Sequence, residues 1–218
     1  MKFSARTLML AGLLALAVPA GAGPMEDFAA ATARFGAAAG GDTGATDDAV
    51  ARLDRLAEAE PADAPHRPLI LAYLGAAQTL QGRDAWMPWT KMRATERGLA
   101  TLDKALRRLE PRHESARFRD APVALETRLV AASTFIAVPG LFNRFDEGKA
   151  VLRAALGSPV FAAAPAPLRA DLHRQAAIAA ARDKKDGEEA AQWRLAIAAA
   201  PTGEIAAAGR KRLQELGQ

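Results

Sequence analysis

Three histidines, His66, His113 and His173, are the side chains best suited to hold a metal ion or relay a proton, and their spacing argues against both. Zinc needs three or four ligands converging on one point, and a helix supplies two of them as a pair four residues apart. Here the histidines are scattered, no acidic cluster stands beside them, and the chain has no cysteine. Each is expected to be a surface or loop histidine. Ser115, Ser133 and Ser158 are candidate nucleophiles, yet none sits in a G-x-S-x-G turn, and no glycine-rich loop offers backbone amides to a phosphate. The carboxylate pairs Asp47–Asp48 and Glu188–Glu189 fall where helices are expected to start, so capping and the helix dipole account for them without acid–base chemistry. The chain is therefore expected to be a non-enzyme without metal or cofactor.

Residues suited to recognition are better represented. The stretch QGRDAWMPWTKMRAT, residues 81–95, brings Trp86, Met87, Pro88, Trp89 and Met92 together. Tryptophan and methionine anchor interfaces and adapt to apolar ligands. Two roles compete: an exposed binding patch, or side chains folded inward to fill a wedge between helices, and the usual burial of large aromatics favours the second. A basic run follows in Arg107, Arg108, Arg112, His113, Arg117 and Arg119, with Arg128 beside it if the next helix folds back. Arginine's planar fork suits a partner's carboxylates, although Glu110, Glu114 and Asp120 lie among them and favour a solvated surface of mixed charge. The candidate partner contacts are Gln78, Trp86, Trp89, Arg117 and Arg128.

The elements that must position these residues are helical. Half of the 218 residues are hydrophobic and aromatics make up 6%. Alanine fills roughly a quarter of the chain, and because it loses least on entering a helix, almost no strand is expected. Residues 1–22 read as a cleaved secretory signal: Lys2 and Arg6, the apolar run LMLAGLLALAV, and small residues at Ala20–Ala22. The remaining 23–218 form one domain, expected in the periplasm or secreted. No second apolar stretch of that density follows, so no stable membrane span is expected after cleavage, and without a cysteine the chain is no lipoprotein. Losing Lys2 and Arg6 lowers the formal charge from +4 to +2, close to balance, so nucleic-acid binding is not expected.

GLATLDKAL at 98–106 returns as GKAVLRAAL at 148–156, with glycine, alanine and leucine in register. Leu99, Leu102, Leu106 and Leu109 recur at helical spacing, and two further segments, AVARLDRLAEAEP and EAAQWRLAIAAAP, also run into proline. A helix followed by proline, four times over, predicts repeated hairpins. Their best first helix is LILAYLGAAQTL, residues 69–80, apolar on nearly every face and notched at Gly75 and Ala76.

Through these residues the chain resembles the tetratricopeptide repeat: Leu71, Leu74, Gly75 and Gln78 fall on the first half of its pattern, and Gly98, Leu102 and Ala105 on the second, with Pro111 one place late. About eleven extra residues separate the halves against the family's 34-residue period, and Leu71 and Gln78 replace the usual aromatics. The resemblance implies an all-α fold of hairpins stacked as a short right-handed solenoid, closed by IAAAGRKRLQEL at 205–216, and a groove that holds a partner's segment. An irregular helical bundle would satisfy the same periodicity. Leu141, Phe142 and Phe145, beyond the turn at Pro139 and Gly140, are expected to staple one hairpin to the next. Two functions follow: an adaptor holding a segment of another envelope protein, or a carrier of a small apolar or lipid-like ligand. An open cleft favours the first and an enclosed apolar pocket the second.

Overall fold

The computed structural model describes residues 23–217; the expected leader, residues 1–22, lies outside the described residues. Those described form an all-α protein. Ten α-helices follow in order: α1 (Pro24–Ala39), α2 (Gly44–Ala59), α3 (Arg67–Asp84), α4 (Pro88–Arg107), the single turn α5 (Arg112–Ser115), α6 (Val123–Ala137), α7 (Phe145–Leu156), α8 (Ala166–Arg182), α9 (Asp186–Ala199) and α10 (Glu204–Glu215). Among the described residues strand is confined to β1 (Arg117–Phe118) and β2 (Ala121–Pro122), an antiparallel pair two residues long. Proline opens α1, α3, α4 and α8 within their first two positions, where its missing N–H breaks no intrahelical bond. None of the described helices is long and apolar enough to cross a membrane.

The helices pair antiparallel as α1–α2, α3–α4, α6–α7 and α8–α9, and each pair leans on the one before. α3 packs on α1 and α2, α6 on α3 and α4, α8 on α6 and α7, and α10 on α9 and α8. α3 is buried almost all round, through Leu69, Ile70, Leu71, Ala72, Leu74, Ala76 and Ala77. Second helices bury one stripe. α4 buries Ala94, Leu99, Leu102 and Ala105 and turns its charges outward.

The repeated nonapeptide is a structural repeat. Gly98, Leu102 and Ala105 of α4 and Gly148, Leu152 and Ala155 of α7 are buried in step, while Ala100 and Ala150 are exposed. Both glycines mark the place where the second helix crosses the first. A Cβ on Gly98 would lie 2.5 Å from the Gly75 carbonyl oxygen, and one on Gly148 would lie 2.9 Å from Ile136. The α10 helix repeats the device on α9, where a Cβ on Gly209 would meet the Trp193 ring at 2.9 Å.

The expected insertion at 81–95 is instead helix. α3 continues to Asp84 and α4 starts at Pro88, leaving three residues between them, so the extra length of this unit lengthens both arms of its hairpin. Pro88 starts α4 where a loop seemed to need it, because a proline at a first turn reads in sequence like one inside a loop. The staple beyond Pro139 is also partly corrected. Phe142 and Phe145 pack against the two main apolar clusters, but Leu141 is 68% exposed on its 3₁₀ turn. Glu189 does more than complement a helix start: it is buried, accepts from Arg212 at 2.6 Å and from the Trp193 indole, and so ties α10 to α9. The guanidinium of Arg212 holds the Glu189 carboxyl below its ordinary range.

Candidate functional site

Trp86 and Trp89 stand at the tip of the α3–α4 hairpin and point outward. Their side chains are 90% and 59% exposed, with Met87 and Met92 also exposed, so the inward-folded reading of this cluster is overturned. The cause is the short turn: with no long loop there is no wedge to fill. Gln78 is buried between α3 and α4, its amide oxygen accepting from the Thr101 hydroxyl at 2.8 Å, which corrects its assignment as a partner contact. Arg117 is exposed, bent over the Glu114 and Ala116 carbonyls, while its own carbonyl oxygen lies 2.8 Å from His66 Nε2. Arg128 is half-buried on α6 and lies 3.9 Å from Glu114.

These residues do not converge. His66 fixes Arg117 at the start of α3, whereas Trp86 follows its end, and an 18-residue helix rises about 27 Å between them. One surface cannot seat all five.

A cleft of about 610 Å³ opens instead where α7, α8 and α9 meet. Its floor is small and apolar, made by Leu152 and Leu156 of α7 and by Ala176, Ala179 and Ala180 of α8. Its rim carries both signs of charge. Lys149 bridges Asp146 at 3.0 Å and Asp183 at 2.8 Å, and Lys185 pairs with Glu188 at 3.0 Å. Those carboxylates hold the Lys149 ammonium above its ordinary value. Alanines on the floor let a backbone approach closely, and a two-signed rim can bind the polar edges of a peptide while the floor takes its apolar side. Sequence reading missed this cleft because alanine spacing predicts burial in a helix pair and says nothing of the angle between successive pairs.

A second arrangement also escaped it. Tyr73 of α3 donates to Glu126 of α6 at 2.6 Å, with Phe35 edge-on to the Tyr73 ring and Arg119 close enough to act on both. Burial pushes the Glu126 carboxyl up, opposed by the Tyr73 hydrogen bond and Arg119; burial and the neighbouring Glu126 push the Tyr73 hydroxyl up as well. A raised carboxyl favours the folded state while protonated, and that advantage is lost as pH rises through its folded-state pKa. Glu126→Gln is therefore expected to gain stability relative to the parent as pH climbs above the ordinary carboxylate range. Paired thermal melts across pH check it, and an identical pH dependence in both proteins would contradict it.

The three histidines serve the fold, and two are not surface or loop residues. His113 is buried with Nδ1 accepting from the Glu110 amide at 2.9 Å, and burial lowers its pKa; His173 is half-buried in α8 and lies 2.8 Å from Gln192. Ser115 and Ser133 donate to carbonyls three residues back. Among the described residues no group of three His, Asp or Glu side chains could hold a metal ion. The chain matches no protein-family model, no curated protein and no solved structure.

Proposed function

We propose that the protein is a non-catalytic adaptor, exported to the periplasm by its leader, whose helix pairs continue as a short tetratricopeptide-like right-handed stack holding a segment of another envelope protein. The supporting observation is the cleft between α7, α8 and α9: open, floored by alanine and leucine, and rimmed by ion pairs of both signs. A carrier of an apolar ligand needs a site that takes most of the ligand's surface out of water, and this cleft is open to it. The partner's segment lies along α8, its apolar side on Ala176 and Ala179, its polar groups against Lys149 and Glu188.

Ala191 offers the test. It lines the cleft on α9 and is exposed, so Ala191→Trp fills the space without entering the core. The variant is expected to melt within about 0.5 kcal/mol of the parent and to lose its co-purifying envelope protein. Undiminished co-purification contradicts the reading. A lipid found by mass spectrometry in the parent and absent from the variant would favour the carrier.

A further inference from the structure

We propose that the α3–α4 tip is a docking surface for an anionic lipid bilayer, with Trp86 and Trp89 entering the boundary between headgroups and acyl chains. The site lies apart from the cleft and does not depend on the adaptor reading. Four large apolar side chains are exposed within seven residues: Trp86 at 90%, Trp89 at 59%, Met92 at 41% and Met87 at 37%. Met92, Arg93 and Arg97 stand three, four and eight residues after Trp89, with Glu96 among them, and so share the outward side of α4, opposite buried Gly98 and Leu102.

Charge selects the bilayer. Between residues 83 and 97 the cations are Arg83, Lys91, Arg93 and Arg97 and the anions are Asp84 and Glu96. Arg83 and Asp84 neutralise each other at 2.6 Å, and Asp84 also accepts from Thr46. That leaves three cations against Glu96. The Lys91 ammonium donates to the Arg83 carbonyl and lies near enough to Asp84 to act on its charge, and the Arg93 and Arg97 side chains take part in no hydrogen bond or ion pair among the described residues, so all three keep N–H groups for lipid phosphates. Tryptophan flanked by lysine and arginine suits the membrane interface, where an amphipathic ring sits at headgroup depth and the cations meet anionic lipid. Shape agrees. The neighbouring cleft of about 440 Å³ is lined by Thr43, Thr46, Asp47, Gln81, Arg93 and Arg97 among others and by neither tryptophan, so the rings project rather than line a groove. A projecting ring needs a shaped pocket in a protein partner and none in a bilayer.

The experiment compares the full chain, Trp86→Ser with Trp89→Ser, and Arg93→Gln with Arg97→Gln, so that any contribution of residues 1–22 is common to all three. Each is mixed with vesicles of phosphatidylcholine, with and without phosphatidylglycerol. Co-sedimentation and quenching of tryptophan emission by bromine-labelled acyl chains are read. The parent is expected to bind phosphatidylglycerol vesicles with its emission quenched, Trp193 contributing little because it is buried. The tryptophan double variant should bind about tenfold more weakly or worse. The arginine double variant should lose most of the preference for anionic lipid and its salt sensitivity. All three should melt together, since every position is exposed. Equal vesicle binding by parent and tryptophan variant, or no quenching in the parent, overturns the proposal. Self-association, or capture of a protein, abolished by the same variant without any effect on vesicle binding would overturn it in favour of that partner.

Discussion

Leu102→Asp is expected to abolish the cooperative thermal transition. Leu102 is fully buried where α4 meets α3, and its branched end lies against the crossing at Gly75. The substitution removes a core leucine, worth about 2–5 kcal/mol, and places there a carboxylate with no cation to pair with. Protonating the aspartate relieves the charge but leaves a polar group unpaired. The combined loss, on the order of 5 kcal/mol or more, rivals the whole stability of an ordinary domain. Circular dichroism and calorimetry should show residual helix without a sharp transition, whereas Leu102→Met, which nearly conserves volume, should cost less than about 1.5 kcal/mol. An aspartate variant that melts like the parent would mean that the buried stripe of α4 has been misassigned.

Gly98→Ala is expected to destabilise the protein although alanine is the better helix former. In an unencumbered helix the exchange gains about 1 kcal/mol. At Gly98 the added methyl would lie 2.5 Å from the Gly75 carbonyl oxygen, 2.6 Å from Thr79 and 2.8 Å from the Thr79 nitrogen, and two of these are backbone atoms that cannot turn aside. The helices must part, and overpacking of this kind costs about 1–3 kcal/mol, more than the propensity gain. Gly36→Ala is the matched control: it lies within α1, nothing stands within 4 Å of the added carbon, and the same change should stabilise by about 0.5–1 kcal/mol. Opposite signs at the two positions, read from denaturant midpoints at constant m-value, are the expected result. Stabilisation at both would show that the α3–α4 crossing is looser than its glycines imply.

The fold was readable wherever one helix carried its own signal. The spacing of Leu99, Leu102, Leu106 and Leu109 placed the buried stripe of α4 at Leu99 and Leu102, although Leu106 is only half-buried and Leu109 lies past the end of the helix, and the echo at Leu152 and Ala155 placed that of α7. Pro61 and Pro201 stand just past the ends of α2 and α9. Reading went wrong where a residue has two meanings: Pro88 opens a helix where it seemed to sit in a loop, and that error carried Trp86 and Trp89 inward with it. Gln78 misled for another reason. Polarity on an apolar helix signals either a partner or a buried hydrogen bond, and Thr101, the residue that decides between them, lies 23 positions away on the next helix. The cleft of α7, α8 and α9, and the Tyr73–Glu126 contact 53 positions apart in sequence, depend on how pairs are angled against one another, which no local pattern encodes.

A photoreactive residue placed at Ala191 in cells, with Glu58 on the exposed face of α2 as the comparison site, tests the adaptor reading most directly. One envelope protein crosslinked from position 191, absent from position 58 and lost when Lys149 and Glu188 are exchanged for residues of opposite charge, is the result predicted. Equal crosslinking from both positions, or none from 191, would contradict it.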